Sequence, residues 1–324
     1  MKSLNIGKSG IEVSALCLGT DLLGSKRDES LSFELLDYFA GRGGSFLDTG
    51  NFYASWLPGF GGGESESVIG KWMAARGNRQ SMVIASKLGF DYPESAGGLS
   101  AGEIERECEK SLRRLQTDCI DLYYAHRDDP ATALEETMEA FHRLITAGKV
   151  RAIGASNLSV WRIAESNLLS ELRGWPSYCA IEQRYTYLRP RHGTNFGPQT
   201  FLSDVTKDFA QSHGIALIGY SVLLSGAYLR SPEDLPAQFA GTDSNSRWSA
   251  LRSVASETGA TVNQVILAWM RQSSPPVLPI IAGSRVEQLA ENIDALNLSL
   301  SEVHMKLLEE AGNPSDQTGW LQSK

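Results

Sequence analysis

The segment FLDTGNFY at residues 46–53 decides the fold, because a short apolar run leads directly into polar and aromatic side chains. Its first part, Phe46–Gly50, has the length and composition of a parallel strand whose two faces are both covered. Seven further runs of this kind occur before and after it. They are Ala15–Gly19, Val83–Gly89, Ile120–His126, Val150–Asn157, Ala180–Thr186, Ile215–Leu223 and Val277–Gly283.

Amphipathic segments fill the intervals between these strands and predict helices. Ser30–Arg42 is typical, since Leu31, Leu35, Leu36 and Phe39 recur on one helical face. Eight strands that alternate with helices predict an α/β fold, a (β/α)8 TIM barrel. The other predicted helices are Ser65–Arg76, Ser100–Leu115, Ala131–Ala147, Ser159–Leu172, Gln199–His213, Asn245–Glu257, Val262–Gln272 and Val286–Leu296.

The N-terminal segment lies before the first barrel strand and has a different pattern. Leu4–Val13, with its turn at residues 7–10, predicts a β-hairpin that covers the floor of the barrel. Ser100 and Glu103 stand three residues apart at a predicted helix start, which predicts a capping box. No linker interrupts the alternation, so we interpret residues 1–324 as a single domain.

A doubly wound parallel sheet is the competing architecture for this pattern. That fold would bring a G-x-G-x-x-G motif directly after the first strand. The chain has GTDLLG at residues 19–24 instead, and the glycines at 59–63 do not directly follow a strand. The barrel is therefore the favoured interpretation.

Composition and charge narrow the class of function. The net charge is −8 and no lysine- or arginine-rich run occurs, so the chain lacks the electrostatic footprint of a nucleic-acid-binding protein. Its longest apolar stretches are too short to cross a bilayer, and the N-terminus lacks the apolar core of a secretory signal. The four cysteines form no C-x-x-C pair, so we expect no metal site, no disulfides and a cytoplasmic location. The oligomeric state, including a homo-oligomer, stays open.

Four polar residues at the ends of consecutive strands form a chemically coherent set. Barrel enzymes place catalytic groups at the C-terminal ends of strands, where Asp48, Tyr53, Lys87 and His126 lie in this sequence. A lysine ammonium near a phenol favours the phenolate, and an aspartate keeps that lysine charged. We therefore expect Tyr53 to be a proton donor whose pKa is lowered by about 2 units, with His126 orienting a carbonyl oxygen.

The chain resembles the aldo-keto reductase superfamily over nearly its whole length. The motifs that carry the resemblance are LCLGT (16–20), FLDTGNFY (46–53), ASKL (85–88), DLYYAH (121–126), GKVRAIGASN (148–157), GYSVL (219–223) and PIIAGSR (279–285). The family's catalytic tetrad falls on the same Asp48, Tyr53, Lys87 and His126. The resemblance implies reduction of an aldehyde to an alcohol.

The resemblance also implies a nicotinamide cofactor. Arg285 matches a residue that neutralises a 2′-phosphate, which favours NADPH over NADH, although Ala282 stands where many NADP-specific members carry a lysine. Gly19, Thr20 and Asp48 are expected at the same site. The implied contacts of the nicotinamide, the pyrophosphate and the adenosine end, in that order, are Ser156, Asn157, Gln183 and Tyr220; Ser221, Leu223, Ser225 and Gly226; and Gly283, Ser284, Arg285, Gln288 and Asn292.

The substrate is expected to be a small polar carbonyl compound. The Gly-rich insertion at residues 54–64 resembles bacterial members associated with carbohydrate metabolism, which suggests a sugar aldehyde such as 6-oxo-glucose. Asp21, Trp56, Arg127 and Asp128 are the candidate substrate contacts.

Three alternatives to the reductase remain. A sugar dehydrogenase would run the same chemistry in the oxidative direction. A non-catalytic subunit would use the cofactor as a sensor, although the complete tetrad argues against it. A Schiff-base lyase would use Lys87 as a nucleophile and would leave the expected cofactor residues without a role.

Overall fold

Eight parallel strands close into a barrel in the computed structural model, which describes residues 1–313. The N-terminal strands β1 (Ser3–Asn5) and β2 (Glu12–Ser14) form a separate antiparallel pair. Within the barrel each strand pairs with the next along the chain, and the last pairs with the first. The barrel strands are β3 (Cys17–Gly19), β4 (Phe46–Asp48), β5 (Val83–Leu88), β6 (Ile120–Ala125), β7 (Val150–Ser156), β8 (Tyr178–Arg184), β9 (Ala216–Tyr220) and β10 (Val277–Ile281).

The predicted barrel and hairpin are both confirmed, and all eight predicted strands are present. Residues 314–324, the last part of the predicted single domain, lie outside the described residues. The helices are α1 (Glu29–Gly41), α2 (Glu64–Arg76), α3 (Ala101–Leu115), α4 (Leu134–Thr146), α5 (Val160–Arg173), α6 (Asp204–His213), α7 (Thr242–Thr258), α8 (Val262–Gln272), α9 (Val286–Asp294) and α10 (Glu302–Glu310). The last of these was not predicted.

Two helices begin later than their sequence pattern predicts. In one case a side chain, and in the other a strand, forms hydrogen bonds with the segment that was expected to start the helix. Before α4, the Asp129 carboxylate accepts hydrogen bonds from Ala131 N and from the Thr132 hydroxyl, which holds that segment in a turn. Before α6, Leu202 N donates to Arg184 O at 2.9 Å, so residues 199–202 extend along β8. Periodicity alone does not reveal these contacts.

The predicted capping box at α3 is wrong. Ser100 is the N-cap residue, but its side chain makes no capping hydrogen bond. The Glu103 carboxylate instead accepts hydrogen bonds from the Ser95 hydroxyl and from Arg106. Ser95 in the preceding loop and Arg106 on the same helix have therefore taken the side chain that would have closed the box.

The hairpin covers one end of the barrel, as predicted. Ile6, Ile11 and Val13 are almost fully buried and belong to one apolar cluster with side chains of the barrel strands. Burial of such side chains stabilises the fold by about 1.5–3 kcal/mol each. The hairpin therefore closes the N-terminal end of the barrel, which leaves the C-terminal end for polar groups.

Register brings the polar strand ends to a common level. Asp48 pairs with Ala85, and Lys87 pairs with Tyr124 two residues further along β5. Side chains on adjacent strands of a closed barrel that point inward at this level must lie close together. No helix within residues 1–313 is long and apolar enough to span a membrane.

Candidate active site

Asp48, Lys87 and Tyr53 form one hydrogen-bonded group at the C-terminal end of the barrel. Lys87 Nζ donates to the Tyr53 hydroxyl at 2.7 Å and to the Asp48 carboxylate. The Tyr53 hydroxyl donates to Asp48 Oδ2 at 3.1 Å. Lys87 is fully buried and Asp48 is 2% exposed, so water competes little with these contacts. The arrangement gives the phenol a cationic donor on one side and an anionic acceptor on the other.

The loop after β4 fixes the position of Tyr53. Asn51 N donates to Lys87 O at 3.1 Å, which ties the loop to β5. The Asn51 side chain is fully buried and donates to Glu107 on α3 at 2.7 Å. Sequence reasoning missed both Asn51 and Glu107, because only the folded chain brings α3 against this loop. Their role is to hold the loop so that the phenol faces into the barrel mouth.

The phenol of Tyr53 is harder to ionise than the sequence suggested. Removal from water raises its pKa well above the ordinary value, and the carboxylate of Asp48 raises it further. The expectation that the pKa of Tyr53 is lowered is therefore wrong for this arrangement of side chains, because the Lys87 ammonium does not offset burial and the charge of Asp48. Tyr53 is protonated at neutral pH, as a proton donor must be.

Lys87 keeps its charge despite its burial. Desolvation by itself would lower the pKa of this lysine, but its attraction to Asp48 and its hydrogen bond with that carboxylate act in the opposite direction, and the pKa is raised. Glu182 Oε1 lies 3.5 Å from Lys87 Nζ. Glu182 was not among the predicted site residues. Its position at the end of a strand, beside Gln183, was the signal that could have identified it.

His126 presents a neutral imidazole beside the phenol. Its ring centroid lies 5.9 Å from that of Tyr53, and its backbone N–H donates to Leu88 O at 2.8 Å. Burial and the charge of Lys87 hold the pKa of His126 well below its ordinary value. A neutral imidazole with one N–H can donate a hydrogen bond to a carbonyl oxygen without adding a full positive charge.

The residues expected around a nicotinamide lie at or just after the ends of the adjacent strands β7, β8 and β9. Gln183 is fully buried, and its Nε2 donates to Leu158 O at 2.9 Å while its Oε1 has no hydrogen-bond partner within residues 1–313. A buried acceptor of this kind fits the N–H of a carboxamide. Ser156 Oγ accepts a hydrogen bond from Asn157 Nδ2 at 3.1 Å. These side chains therefore fit the carboxamide of a nicotinamide.

Asn157 connects the expected nicotinamide contacts to the catalytic residue His126. Its Nδ2 donates to His126 O at 2.9 Å, and its Oδ1 accepts from the Tyr220 hydroxyl at 2.7 Å and from Thr200 N at 3.1 Å. The amide is thus occupied by protein contacts. In this structure Asn157 positions His126 and Tyr220.

The loop after β9 contains several residues with left-handed backbone. Ser221 and Ser225 have φ values of 57° and 51°, in the left-handed region that residues other than glycine seldom adopt. Gly226 follows with φ 80°. Leu223 packs against the main core. Such strained backbone concentrates at binding sites, where successive N–H groups can point at an anion.

The segment before α9 is held by its own side chains. The Gln288 side chain accepts hydrogen bonds from Ser284 N at 2.8 Å and from the Ser284 hydroxyl at 2.9 Å. Asn292 is buried and donates to Ala282 O at 3.1 Å. A Cβ on Gly283 would lie 3.1 Å from Arg285 O, so this turn is closely packed. Arg285 itself is exposed and lies 3.7 Å from Glu287.

Gly19 and Thr20 are used mainly for packing in this structure. A Cβ on Gly19 would come within 2.7 Å of the Ile280 side chain, so glycine permits β3 to approach β10. The buried Thr20 hydroxyl donates to Asp48 O at 2.7 Å and contacts the Ser65 hydroxyl at 2.7 Å. Thr20 therefore supports the backbone of Asp48, and Gly19 allows the close strand packing beside it.

An aromatic wall borders the mouth, and sequence reasoning identified only part of it. The ring of Phe52 stacks on Phe90 with centroids 4.6 Å apart, and Trp56 lies 5.1 Å from Phe52. The Phe90 centroid is 4.8 Å from that of His126. Trp56 is 49% exposed, which leaves its face free at the rim. We call Phe52, Trp56 and Phe90 the aromatic wall.

The predicted polar substrate contacts lie near the mouth, but two of them already have partners. The Asp128 carboxylate lies 2.7 Å from the Arg162 guanidinium. Arg127 packs over the ring of Phe90 at 5.3 Å. Burial raises the pKa of Asp21, against the attraction of Arg27. The mouth therefore presents more aromatic surface and fewer free polar groups than the sequence suggested.

Comparison with known proteins agrees with this geometry. The model of the Aldo/keto reductase family matches residues 15–313. The chain is 32% identical to the norsolorinic acid reductase stcV of Emericella nidulans, over 93% of this chain and 79% of that protein. It is 30% identical to an aryl-alcohol dehydrogenase (NADP+) of Phanerodontia chrysosporium, over 93% and 83% of the two chains.

A solved structure shows the same architecture. The thermostable aldo-keto reductase Tm1743, in complex with the inhibitor epalrestat, superimposes with a TM-score of 0.75 at 28% identity, covering 96% of this chain and 99% of its own. An uncharacterized oxidoreductase of Bacillus subtilis, YrpG, is 31% identical over 96% of this chain and 95% of its own. The protein belongs to the aldo/keto reductase family and is an oxidoreductase that acts on carbonyl groups.

Proposed function

We propose that the protein uses NADPH to reduce an aldehyde to the corresponding alcohol, with Tyr53 as the proton donor. The observation that carries the proposal is the position of the Tyr53 hydroxyl, 2.7 Å from Lys87 Nζ and 3.1 Å from Asp48 Oδ2. A phenol between a buried cation and its counter-ion is a group prepared to change its protonation state. No other group at this mouth combines these contacts among the described residues.

Each side chain has a separate role in the reduction of the carbonyl group. His126 donates a hydrogen bond to the carbonyl oxygen and fixes its approach to the phenol. Tyr53 gives its proton to that oxygen as negative charge develops there, and the Lys87 ammonium stabilises the phenolate left behind. Asp48 keeps Lys87 charged and aimed at the phenol. NADPH, when bound, supplies the hydride that the carbonyl carbon accepts.

The cofactor proposal assigns roles to several of the predicted contacts. Gln183 and Ser156 would hold the carboxamide of the nicotinamide, and Tyr220 would stack on its ring. The left-handed turn at residues 221–226 would follow the pyrophosphate. Arg285 would pair with a 2′-phosphate, and its exposure leaves it free to reach one. These assignments favour NADPH over NADH.

Two classes of aldehyde are candidates for the substrate. The sequence suggested a sugar aldehyde such as 6-oxo-glucose, for which Asp21 is the polar contact that remains without a strong partner. The aromatic wall favours an aryl aldehyde, because an apolar ring gains more from stacking than a hydroxylated sugar does. We favour the aryl aldehyde on this observation. The two classes are separated by one panel of substrates.

The decisive experiment compares Tyr53→Phe with the unchanged protein, on panels of aryl and sugar aldehydes, by loss of NADPH absorbance. We expect kcat to fall about 10³-fold, because the acid is removed while the ring remains. NADPH affinity, measured by fluorescence titration, should stay within about twofold. Tyr38→Phe is the matched control, since that phenol contacts Arg42 far from the mouth. More than a tenth of the original kcat in Tyr53→Phe would remove Tyr53 from the mechanism.

The same experiment tests the alternatives. A non-catalytic cofactor-sensing subunit predicts NADPH binding without turnover of any carbonyl compound. A dehydrogenase predicts faster turnover from the alcohol with NADP+ than from the aldehyde. The proposal also includes a cytoplasmic location, where NADPH and small carbonyl compounds would both be present.

A further inference from the structure

Glu182 on β8 is a buried acid that the proposed reaction does not use. It is 2% exposed, and its Oε1 lies 3.5 Å from Lys87 Nζ. Its Oε2 has no hydrogen-bond partner within the part of the chain that the structure describes. An ionised carboxylate that is buried and half unpartnered is strongly destabilising. This position therefore requires an explanation.

Lys87 has no hydrogen left to offer Glu182. An ammonium carries three N–H groups. They are donated to Asp48 Oδ1, to Thr49 O at 3.2 Å and to the Tyr53 hydroxyl at 2.7 Å. An ionised Glu182 would compete for one of them, and the contact with Tyr53 would be lost or weakened. A protonated Glu182 needs none of them and can itself donate to a neighbouring carboxylate.

The surrounding charges lead to the same conclusion. Two carboxyl groups face a single buried cation, so one shared proton brings this cluster to zero net charge. Burial, and after it the charge of Asp48, raise the pKa of Glu182 well above its ordinary value, against the attraction of Lys87. The titratable groups facing Glu182 from the elements packed around it are Cys17, Asp48, Tyr53, Lys87, Tyr124 and Tyr220.

We propose that Glu182 holds a proton that it shares with Asp48, and that it is a positioning residue for the Lys87–Tyr53 pair. The shared proton orients the Asp48 carboxylate, which in turn keeps the Lys87 ammonium on the phenol. The positioning role rests on the proposed function of Tyr53, whereas the protonation of Glu182 rests on these contacts alone. The two parts therefore have separate tests.

Infrared difference spectroscopy tests the protonation. We expect the unchanged protein at neutral pH to show the C=O stretch of a protonated carboxyl group that is absent from Glu182→Gln. Glu66→Gln is the matched control, because Glu66 is equally buried but is paired with Arg114 at 2.7 Å and should remove a carboxylate band instead. Loss of a carboxylate band in Glu182→Gln would overturn the proposal, whatever the protein's activity proves to be.

Kinetics test the positioning. Glu182→Gln keeps a neutral donor and should lower kcat about threefold, whereas Glu182→Leu removes the donor and should lower it about thirtyfold, with KM for the aldehyde within about twofold. The alkaline limb of the pH profile should move in both variants by about one pH unit, because position 182 can no longer become negative. Equal losses of kcat in both variants with an unmoved pH profile would overturn the positioning role. Glu66→Gln should leave the profile where it is.

Discussion

At the N-terminal end of the barrel the hairpin packs Ile6, Ile11 and Val13 against apolar side chains, whereas at the C-terminal end Asp48 and Lys87 are buried together. The first end gains stability from every group it buries. At the second end, burial of each charge costs desolvation free energy, which only close pairing of opposite charges offsets. The comparison shows one barrel divided between an end that stabilises the fold and an end prepared for chemistry, and three changes test that division.

The largest effect is expected from Lys87→Met at the C-terminal end. We expect kcat to fall about 10³-fold, equivalent to about 4 kcal/mol, because the phenolate of Tyr53 loses its counter-ion. Steady-state kinetics with the best aldehyde measure it. Arg114→Met is the matched control, since it removes a partly buried, paired cation from α3 rather than from the barrel interior. If both variants lose activity equally, the loss comes from destabilisation and the division between the two ends fails.

The next effect is expected at the N-terminal end, from Ile11→Ala. Ile11 is 2% exposed, so truncation should lower the free energy of unfolding by about 3 kcal/mol. We expect kcat to stay within about twofold, because the hairpin lies at the end opposite the catalytic residues. Urea unfolding and kinetics on the same sample measure both. Leu4→Ala is the control, since Leu4 is exposed, and a large drop in kcat for Ile11→Ala would show that the two ends are coupled.

The smallest effect is a pH dependence at the C-terminal end. The pKa of His126 is held well below its ordinary value, so the stability it contributes is present above pH ~6.5 and is lost as pH falls toward the lowered value. As pH falls from 6.5 to 5, the free energy of unfolding should therefore decrease because of this residue. His126→Gln should lack that loss, and the exposed His192→Gln should keep it. Identical pH dependence in all three proteins would show that His126 is not held neutral.

The resemblance to a family and the strand pattern together predicted the architecture and the positions of the candidate catalytic residues. The eight strands, the hairpin and the tetrad positions all follow from local periodicity and from the rule that polar groups gather at strand ends. The errors occur where a partner outside the helix takes the side chain or the backbone that would have formed the start of that helix. Glu103 was expected to cap its own helix and bonds to Ser95 instead, and helix α6 starts late because residues 199–202 pair with β8.

The site shows the same boundary between local and long-range information. The types of residue that meet at the mouth could be predicted, because each stands directly after its own strand. The raised pKa of Tyr53 could not be predicted, since it depends on burial of the phenol and on its contact with Asp48, both of which exist only in the folded barrel. Phe52 and Phe90 were likewise missed, because an aromatic wall exists only once two loops face each other.

The amino-acid sequence by itself determined the barrel, the end of it that carries the polar groups, and the four residue types expected to act there. These depend on the alternation of short apolar runs with amphipathic helices, which is a property of neighbouring residues. Only the tertiary structure decided which charges share the interior, which protons they hold and which surfaces border the mouth. Charge interactions and burial depend on distances in space, and closure of the barrel sets those distances.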